Sequence, residues 1–267
     1  MSVQTFPLTE RIGTEVRGDV ATMLTAETAG HLRKLLIERG VLVFKKAGFT
    51  DEQQVTLAGL MGTVRDEGEN GVFKITLNKA EGNYALKGSF LWHMDGTHDD
   101  VPVFASLLSG KILSKVGGQT EFANSYQAYE ELPEETKDRI GTLKVVHSVT
   151  HSMSQAGVSL DPATAAAAGR GDKVHNLVWT HESGRKSLVI GCHASHVVGM
   201  AMDEGRALIK ELIAWATQPR FVYRHEWDVG DMLIWDNTGV LHRAEPYPED
   251  SGRMMHRTTL VGEEAFA

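Results

Sequence analysis

The spacing of apolar residues near the start of the chain predicts a helix, a strand and a second helix. Leucines recur three and four residues apart within residues 25–39, as on one face of a helix, and Gly40 follows as a C-terminal cap. The β-branched run at 41–46 (VLVFKK) predicts a strand. Thr50, with Gln53 three positions later, matches a capping box at the start of the second helix.

Beyond residue 100 the pattern changes to short β-rich runs separated by Gly, Asp, Asn or Pro. That spacing is typical of an all-β sandwich or barrel core. Two helical stretches interrupt it, at 124–140 and 203–218. Because no linker divides the chain, we predict one domain over residues 1–267, mostly β with flanking helices. The runs are VFASLLSGKI, GGQTEFA, TLKVVHSV, HNLVWTH, KSLVIGC, FVYRHEW and DMLIWDN.

Composition narrows the functional classes. The chain has 267 residues and a formal charge of −8, which argues against a general nucleic-acid binder, since phosphate-tracking surfaces need excess basic residues. Its one cysteine, Cys192, cannot form an internal disulfide, so a reducing compartment fits. The sequence shows neither a secretory signal nor an apolar stretch near the roughly 20 residues that span a bilayer. We therefore expect a cytoplasmic protein without a membrane partner.

Candidate chemistry begins with the stretch WHMDGTHDD at 92–100. On a strand, side chains two positions apart share a face, so His93 and Asp95 would converge. One further histidine would complete a set of two histidines and one carboxylate, which suits non-haem Fe(II) and leaves positions open for O₂ and a co-substrate. With 12 histidines and 35 acidic residues in the chain, His-x-Asp on its own fits a solvated turn equally well.

The second half of the chain supplies the missing pieces. Residues 228–247 (DVGDMLIWDNTGVLHRAEPY) contain a turn, a strand, a second turn and then His242, and Arg253 and Arg257 follow. The order His-x-Asp, a long interval, WDN…LHR and a trailing arginine resembles the taurine dioxygenase / 2,4-dichlorophenoxyacetate dioxygenase (TauD/TfdA) family. The resemblance extends over nearly the whole chain.

The resemblance implies a distorted double-stranded β-helix (a jelly-roll, cupin-like fold) and an Fe(II)- and 2-oxoglutarate-dependent dioxygenase that uses O₂. It makes His93, Asp95 and His242 the catalytic iron ligands. Arg253 corresponds to the arginine that binds the distal carboxylate of 2-oxoglutarate, for which a guanidinium fork is well suited. Thr120 corresponds to a hydroxyl on that same carboxylate. Arg257 corresponds to a further arginine near the other carboxylate of the co-substrate.

The segment THESGRKSLVIGCHASHVVG at 180–199 is most similar to the herbicide-degrading branch of the family. In that branch the matching histidines, His181 and His193, help to hold an anionic group of the substrate, and Lys87 is a further candidate. The branch implies a small acidic substrate, namely an aryloxyalkanoate cleaved at its ether. The alternative is a sulfonate, an alkyl sulfate or an amino-acid-like compound. Family members often form dimers or tetramers, so a homo-oligomer is expected.

Other readings compete with these assignments. His98 is five residues after His93, an odd strand spacing, so we expect it at the surface. His147 and His151 resemble a second metal pair but have no nearby carboxylate in sequence, and His225 fits a structural histidine. A β-barrel binding module or a zinc hydrolase would also fit parts of the pattern. The first should have lost a ligand or Arg253, and the second leaves Arg253 and Thr120 without a purpose.

Overall fold

The computed structural model describes residues 3–78, 88–167 and 169–266. Within these ranges the strands are β1 Gln4–Pro7, β2 Thr14–Arg17, β3 Val41–Phe44, β4 Phe73–Ile75, β5 Ala105–Ile112, β6 Thr120–Asn124, β7 Lys144–His147, β8 Lys173–Asn176, β9 Val178–Thr180, β10 Lys186–Leu188, β11 Ala194–Val197, β12 Val222–His225, β13 Met232–Asp236, β14 Val240–Ala244 and β15 Met254–Thr259. The helices are α1 Val20–Met23, α2 Ala26–Arg39, α3 Asp51–Met61, α4 Ser125–Glu130, α5 Glu134–Ile140, α6 Val149–Gln155, α7 Pro162–Ala167, α8 Met202–Ala216 and a 3₁₀ turn at Pro219–Phe221.

The largest sheet has seven strands in the order β1-β2-β3-β13-β5-β15-β4. Its central strands come from distant parts of the sequence. β13 pairs antiparallel with β3 on one side and with β5 on the other, and β15 completes the far side of β5. All four residues of β3 and all five of β13 are buried, which explains why both read as continuous apolar runs rather than alternating ones.

A second sheet of three strands, β12-β6-β14, shares a core with the large one. The buried cluster joins Val43, Leu108 and Leu233 of the large sheet to Phe122 and Val240 of the small one. The chain leaves β13 in the first sheet and enters β14 in the second within four residues. This change of sheet carries His242, on β14, into the space between the two layers.

Helices cover the sheets through apolar faces. Leu32 and Leu36 of α2 and Leu57 of α3 join one buried cluster with the outer face of the large sheet. Leu208 and Leu212 of α8 are buried in a separate cluster around β11. Each such leucine contributes about 1.5–3 kcal/mol on burial, so packing rather than intrinsic propensity holds these helices.

Most of the elements predicted from the pattern are confirmed. The Thr50–Gln53 capping box is formed, and Gly40 ends α2 with φ of 75°. The predicted helix over 124–140 was wrong in one respect: it is two short helices, because Pro133 lacks the backbone N–H that a continuous helix would need. The pattern also missed strands β1, β2, β4, β11, β14 and β15.

In the part of the chain that the structure describes, no helix has the length and apolarity needed to cross a membrane.

A buried hydrogen-bond network around Asp231 fixes the turn before β13. Asp231 accepts hydrogen bonds from the ring of His225 at 2.9 Å and from the backbone amides of Lys46 at 2.7 Å and Asp228 at 3.0 Å. Burial by itself would raise the pKa of Asp231, but these hydrogen bonds lower it below its ordinary value. His225 is therefore a satisfied structural histidine, as expected.

We predict that Asp231→Ala lowers the free energy of unfolding by about 3–5 kcal/mol, because it leaves buried donors without their acceptor. Since the pKa of Asp231 is lowered by folding, its contribution is present above about pH 4 and is lost as the pH falls further. Urea unfolding at pH 7 and at pH 3.5 measures both effects. Asp228→Ala is the matched control: it removes only an exposed pair with Lys46 and should cost less than about 1 kcal/mol.

Candidate metal centre and cavity

The two histidines of the candidate metal site lie opposite each other in an isolated antiparallel bridge. The backbone N–H of His93 donates to the carbonyl of His242 at 3.0 Å, and the N–H of His242 donates back at 2.8 Å. Residues 92–96 do not form a strand, so the expected strand geometry of His-x-Asp was wrong. The bridge to β14 brings the side chains together instead.

Asp95 completes the cluster. Its Oδ1 lies 3.7 Å from Nε2 of His93, and its Oδ2 lies 3.7 Å from Nε2 of His242. The three donor atoms lie within 4.8 Å of one another, and no other group of His, Cys, Asp and Glu in the described residues is so arranged. The convergence predicted from sequence is present.

The protonation states of the cluster suit a cation. Burial, with the nearby His93 ring, lowers the pKa of His242 to about 3. Burial alone would raise the pKa of Asp95, but His242, His93 and Arg257 hold it at about 2. At neutral pH the imidazole of His242 is thus neutral and the carboxylate is charged, the forms in which each binds a metal.

Each histidine ring is held in place, but by different means. Nδ1 of His93 lies 2.7 Å from the carbonyl of Leu91, which can only accept, so Nδ1 carries the proton and Nε2 presents its lone pair to the cluster. Nδ1 of His242 has no hydrogen-bond partner in the described chain. Packing orients this ring, with Trp235 at 4.8 Å between centroids.

The WDN sequence makes the turn that delivers His242. Asp236 accepts from the backbone N–H of Thr238 at 2.8 Å, and Asn237 accepts from the Trp235 indole at 2.8 Å while donating to Ser106 at 3.0 Å. All three residues of the motif are buried. Asp236 and Asn237 therefore shape the turn before His242.

The segment leading to β11 packs directly behind His93. Gly191 has φ of +125°, and a Cβ added there would lie 3.0 Å from both the Cα of His93 and the carbonyl of Trp92. The amide of Cys192 donates to that same carbonyl at 2.7 Å. A residue without a side chain is therefore needed for this close approach, which also sets the position of His193.

Arg253 lies at the edge of the cavity as a buried cation. It is 4% exposed and donates to the carbonyl of Gly118 at 3.1 Å, and its guanidinium lies over the ring of Tyr247. None of the ion pairs formed by the described residues includes it. Burial lowers the pKa of Arg253 from its usual value, and because no described carboxylate pairs with this buried cation, an anionic ligand would stabilise it.

Thr120 is prepared to donate a hydrogen bond. Its Oγ1 accepts from the indole N–H of Trp227 at 2.9 Å, so its own hydroxyl proton remains available to a ligand in the cavity. Arg257 lies on the other side of the cluster. Its Nη1 is 4.0 Å from Oδ2 of Asp95, and its Nη2 is 3.5 Å from Glu67.

One cavity of about 220 Å³ joins these groups. His98 lines it, so its expected surface position was wrong: residues 95–98 form a turn that bends the ring inward, 6.4 Å from His193.

His193 lines the cavity as well, but burial and the neighbouring His93 and His98 lower its pKa to about 3. It is neutral and offers an ordinary hydrogen bond. Residues that sequence reasoning did not assign to the cavity also line it, namely Ile75, Leu108, Val149, Ser152, Met153, Arg170 and Tyr247.

The structure places one of the predicted substrate residues, His181, away from this cavity. His181 does not line it, because its ring is packed 4.1 Å from Trp179 and bonds Ser187 at 2.8 Å. The His181 side chain packs against the SGRK turn and does not face a ligand. Lys87 lies outside the described residues.

Comparison with known proteins settles the family. Residues 4–259 match the family described as taurine catabolism dioxygenase TauD, TfdA family. The chain belongs to this family. It is 33% identical to the (S)-phenoxypropionate/alpha-ketoglutarate-dioxygenase of Sphingobium herbicidovorans, covering 97% of this chain and 95% of that protein. It is 34% identical to the alpha-ketoglutarate-dependent 2,4-dichlorophenoxyacetate dioxygenase of a Burkholderia species, covering 84% and 82%.

A crystal structure described as AAD-2 in complex with Mn(II) and N-oxalylglycine superposes with a TM-score of 0.88 and 32% identity, over 100% of both chains. As a member of the TauD, TfdA family, the chain is an alpha-ketoglutarate-dependent dioxygenase that requires Fe(II), 2-oxoglutarate and O₂. Its donor set of two neutral-capable imidazoles and one ionised carboxylate fits the metal. The buried guanidinium of Arg253, which forms no ion pair with any residue that the structure describes, fits a dicarboxylate co-substrate.

We predict that Gly191→Ala costs at least about 3 kcal/mol of unfolding free energy, because left-handed strain adds to a clash with the backbone at His93. Gly184→Ala is the matched control. Gly184 also has positive φ, +81°, but no atom within 4 Å, so it should cost only about 1–2 kcal/mol. Urea unfolding of both variants isolates the contribution of the close approach, and equal losses would contradict it.

Proposed function

We propose that this dioxygenase hydroxylates a small organic acid, and that the acid is an aryloxyalkanoate. The single observation that carries the assignment is one cavity with the His93–Asp95–His242 cluster on its wall and the buried Arg253, which has no ion-pair partner among the described residues, at its edge. A metal and a dicarboxylate can occupy such a cavity together.

In this proposal His93, Asp95 and His242 would hold Fe(II) at the wall of the cavity. The metal supplies oxygen activation, and the overall reaction converts the acid, 2-oxoglutarate and O₂ into the hydroxylated acid, succinate and CO₂. The protein contributes the placement of the groups. Its cavity wall also excludes water, since Trp235, Leu108 and Met153 line it with apolar surface.

Arg253 and Thr120 bind the distal carboxylate of 2-oxoglutarate. The guanidinium can form two parallel hydrogen bonds to that group, and the Thr120 hydroxyl can add a third. Arg257, on the metal side of the cavity, lies within reach of a carboxylate next to the iron, which supports its assignment to the 1-carboxylate of 2-oxoglutarate.

The acid binds in the space lined by His98, His193, Val149 and Met153. A cavity of about 220 Å³ is below the roughly 300–1,000 Å³ typical of drug-sized ligands, so a small acid fits it better. His193 gives the acid a neutral hydrogen bond, and the apolar residues face its ring. The relatives named for phenoxypropionate and 2,4-dichlorophenoxyacetate support an aryloxyalkanoate over a sulfonate, alkyl sulfate or amino-acid-like acid.

For an aryloxyalkanoate, hydroxylation of the carbon next to the ether oxygen gives a hemiacetal. This product collapses to a phenol and an oxoacid, so ether cleavage follows from hydroxylation without a further enzymatic step. The carbon that is hydroxylated also carries the carboxylate, which therefore has to bind near the metal.

Several wider predictions accompany this assignment. We infer that residues 1–267 form one dioxygenase domain, and that the seven-stranded sheet and the β12-β6-β14 sheet belong to the distorted double-stranded β-helix implied by the resemblance. A homo-oligomer, a cytoplasmic location, the absence of a nucleic-acid partner and a role for Lys87 stay predictions.

The substrate assignment is tested by succinate release from a panel of aryloxyacetates, aryloxypropionates, taurine and alkyl sulfates, with Fe(II) and 2-oxoglutarate present. We expect release above the substrate-free background with at least one aryloxy acid, together with the matching phenol. His242→Ala should abolish both, because the metal loses a ligand. Succinate release with taurine or an alkyl sulfate, but with no aryloxy acid, would contradict the substrate assignment. It would not contradict the reaction class.

For the co-substrate, Arg253→Ala should raise the 2-oxoglutarate concentration needed for half-maximal activity by about 10–100-fold, since it removes charged hydrogen bonds. Metal affinity, measured by calorimetry without co-substrate, should stay near wild type. Arg243→Ala is the control, because Arg243 is half-buried and already paired with Glu121 at 2.5 Å. Loss of metal binding with unchanged 2-oxoglutarate affinity would contradict the role given to Arg253.

A further inference from the structure

Glu67 is an acidic residue beside the metal centre that lies outside every motif discussed above. Its Oε1 lies 3.5 Å from Nη2 of Arg257 and accepts a hydrogen bond from the hydroxyl of Thr259. Arg257 and Thr259 are two residues apart on β15, so their side chains share one face of the strand. One carboxylate thus contacts both.

The backbone around Glu67 is fastened to the same strand. The amide of Arg65 donates to the carbonyl of Thr259 at 2.8 Å, and the amide of Val261 donates to Thr63 at 2.8 Å. Gly68 then reverses the chain with φ of +66°, where a Cβ would lie 2.0 Å from the carbonyl of Val72. Glu67 is therefore placed by main-chain contacts and not by the ion pair it forms.

The other end of the Arg257 guanidinium faces the metal site. Nη1 is 4.0 Å from Oδ2 of Asp95, the same oxygen that lies 3.7 Å from Nε2 of His242. A guanidinium close to a ligand carboxylate has two effects on a divalent cation: it repels the cation, and it competes for the carboxylate. Glu67 opposes both, since it cancels the positive charge and holds the guanidinium from the far side.

We propose that Glu67 is a positioning residue that restrains and neutralises Arg257, so that Asp95 remains available to the metal. The inference rests on the proposed iron site. It goes further in making metal affinity depend on a residue that does not touch the metal. Without Glu67, Arg257 closes onto Asp95, and the site carries one more positive charge.

The test is the affinity of the full-length apoprotein for Mn(II), measured by calorimetry without 2-oxoglutarate or substrate. Glu67→Gln keeps an acceptor for Thr259 and removes the charge, and we expect it to weaken Mn(II) binding by about 3- to 30-fold. The difference should shrink at high salt because the site is partly exposed. Glu69→Gln, two residues along and exposed, is the matched control and should bind Mn(II) like wild type.

A double-mutant cycle identifies the path of the effect. Arg257→Gln should bind Mn(II) at least as tightly as wild type, and adding Glu67→Gln to it should change little. If Glu67→Gln weakens binding equally in both backgrounds, Glu67 does not act through Arg257 and the inference is overturned. Thermal melting of each apoprotein confirms that the compared variants are folded.

Two further outcomes separate this inference from the proposed iron site. If wild type binds Mn(II) and His93→Ala does not, but Glu67→Gln matches wild type, only the role of Glu67 is wrong. If His93→Ala binds Mn(II) as tightly as wild type, the metal site itself is misplaced. The proposed iron site and the role of Glu67 are then both wrong.

Discussion

The reciprocal pair of backbone hydrogen bonds between His93 and His242 is the interaction on which the centre depends. These two residues are 149 positions apart, and the bridge places their Cα atoms opposite each other at the inner edge of β14. Two other features of the site position this bridge. The buried WDN turn sets the start of β14, and Gly191 lets the segment before β11 press against the backbone of His93.

The charges around the bridge are arranged asymmetrically. Asp95 is the one carboxylate of the ligand cluster, and the charges of Arg253 and Arg257 are paired differently. Arg253 is buried without an ion-pair partner in the described chain, whereas Arg257 is paired with Glu67 and faces Asp95. A buried cation without a counterion is costly to a folded protein unless a ligand completes it. Arg257, beside the candidate metal site, is instead paired with Glu67.

Histidine burial shapes the rest of the cavity. His193 and His242 both have pKa values lowered to about 3, mainly by loss of solvent. At physiological pH these rings are neutral, so the positive charge available to anionic ligands comes from arginine. In the proposed function, the imidazoles would therefore bind the metal and donate neutral hydrogen bonds, and the guanidinium groups would bind carboxylates.

The sequence by itself determined a good part of this protein. Local patterns were sufficient for α2, α3 and β13, because their periodicity, caps and β-branched runs act within a few residues. The order of His93, Asp95, His242 and Arg253 was enough for the family, since those side chains carry the chemistry wherever the chain places them. The length of the helix predicted at 124–140 was overestimated. The helical spacing of apolar residues continues across Pro133, but the helical backbone does not.

Only the tertiary structure decided which candidates meet. His181 and His193 look equivalent in sequence, yet one is packed against Trp179 and the other lines the cavity. His98 turned inward because residues 95–98 form a turn, and Glu67 joined the site through hydrogen bonds to a strand almost 200 residues away in sequence. Such contacts depend on chain crossings and on burial. Neither can be read from a short stretch of sequence, because the contacts form between segments that are far apart in the chain and share no sequence pattern.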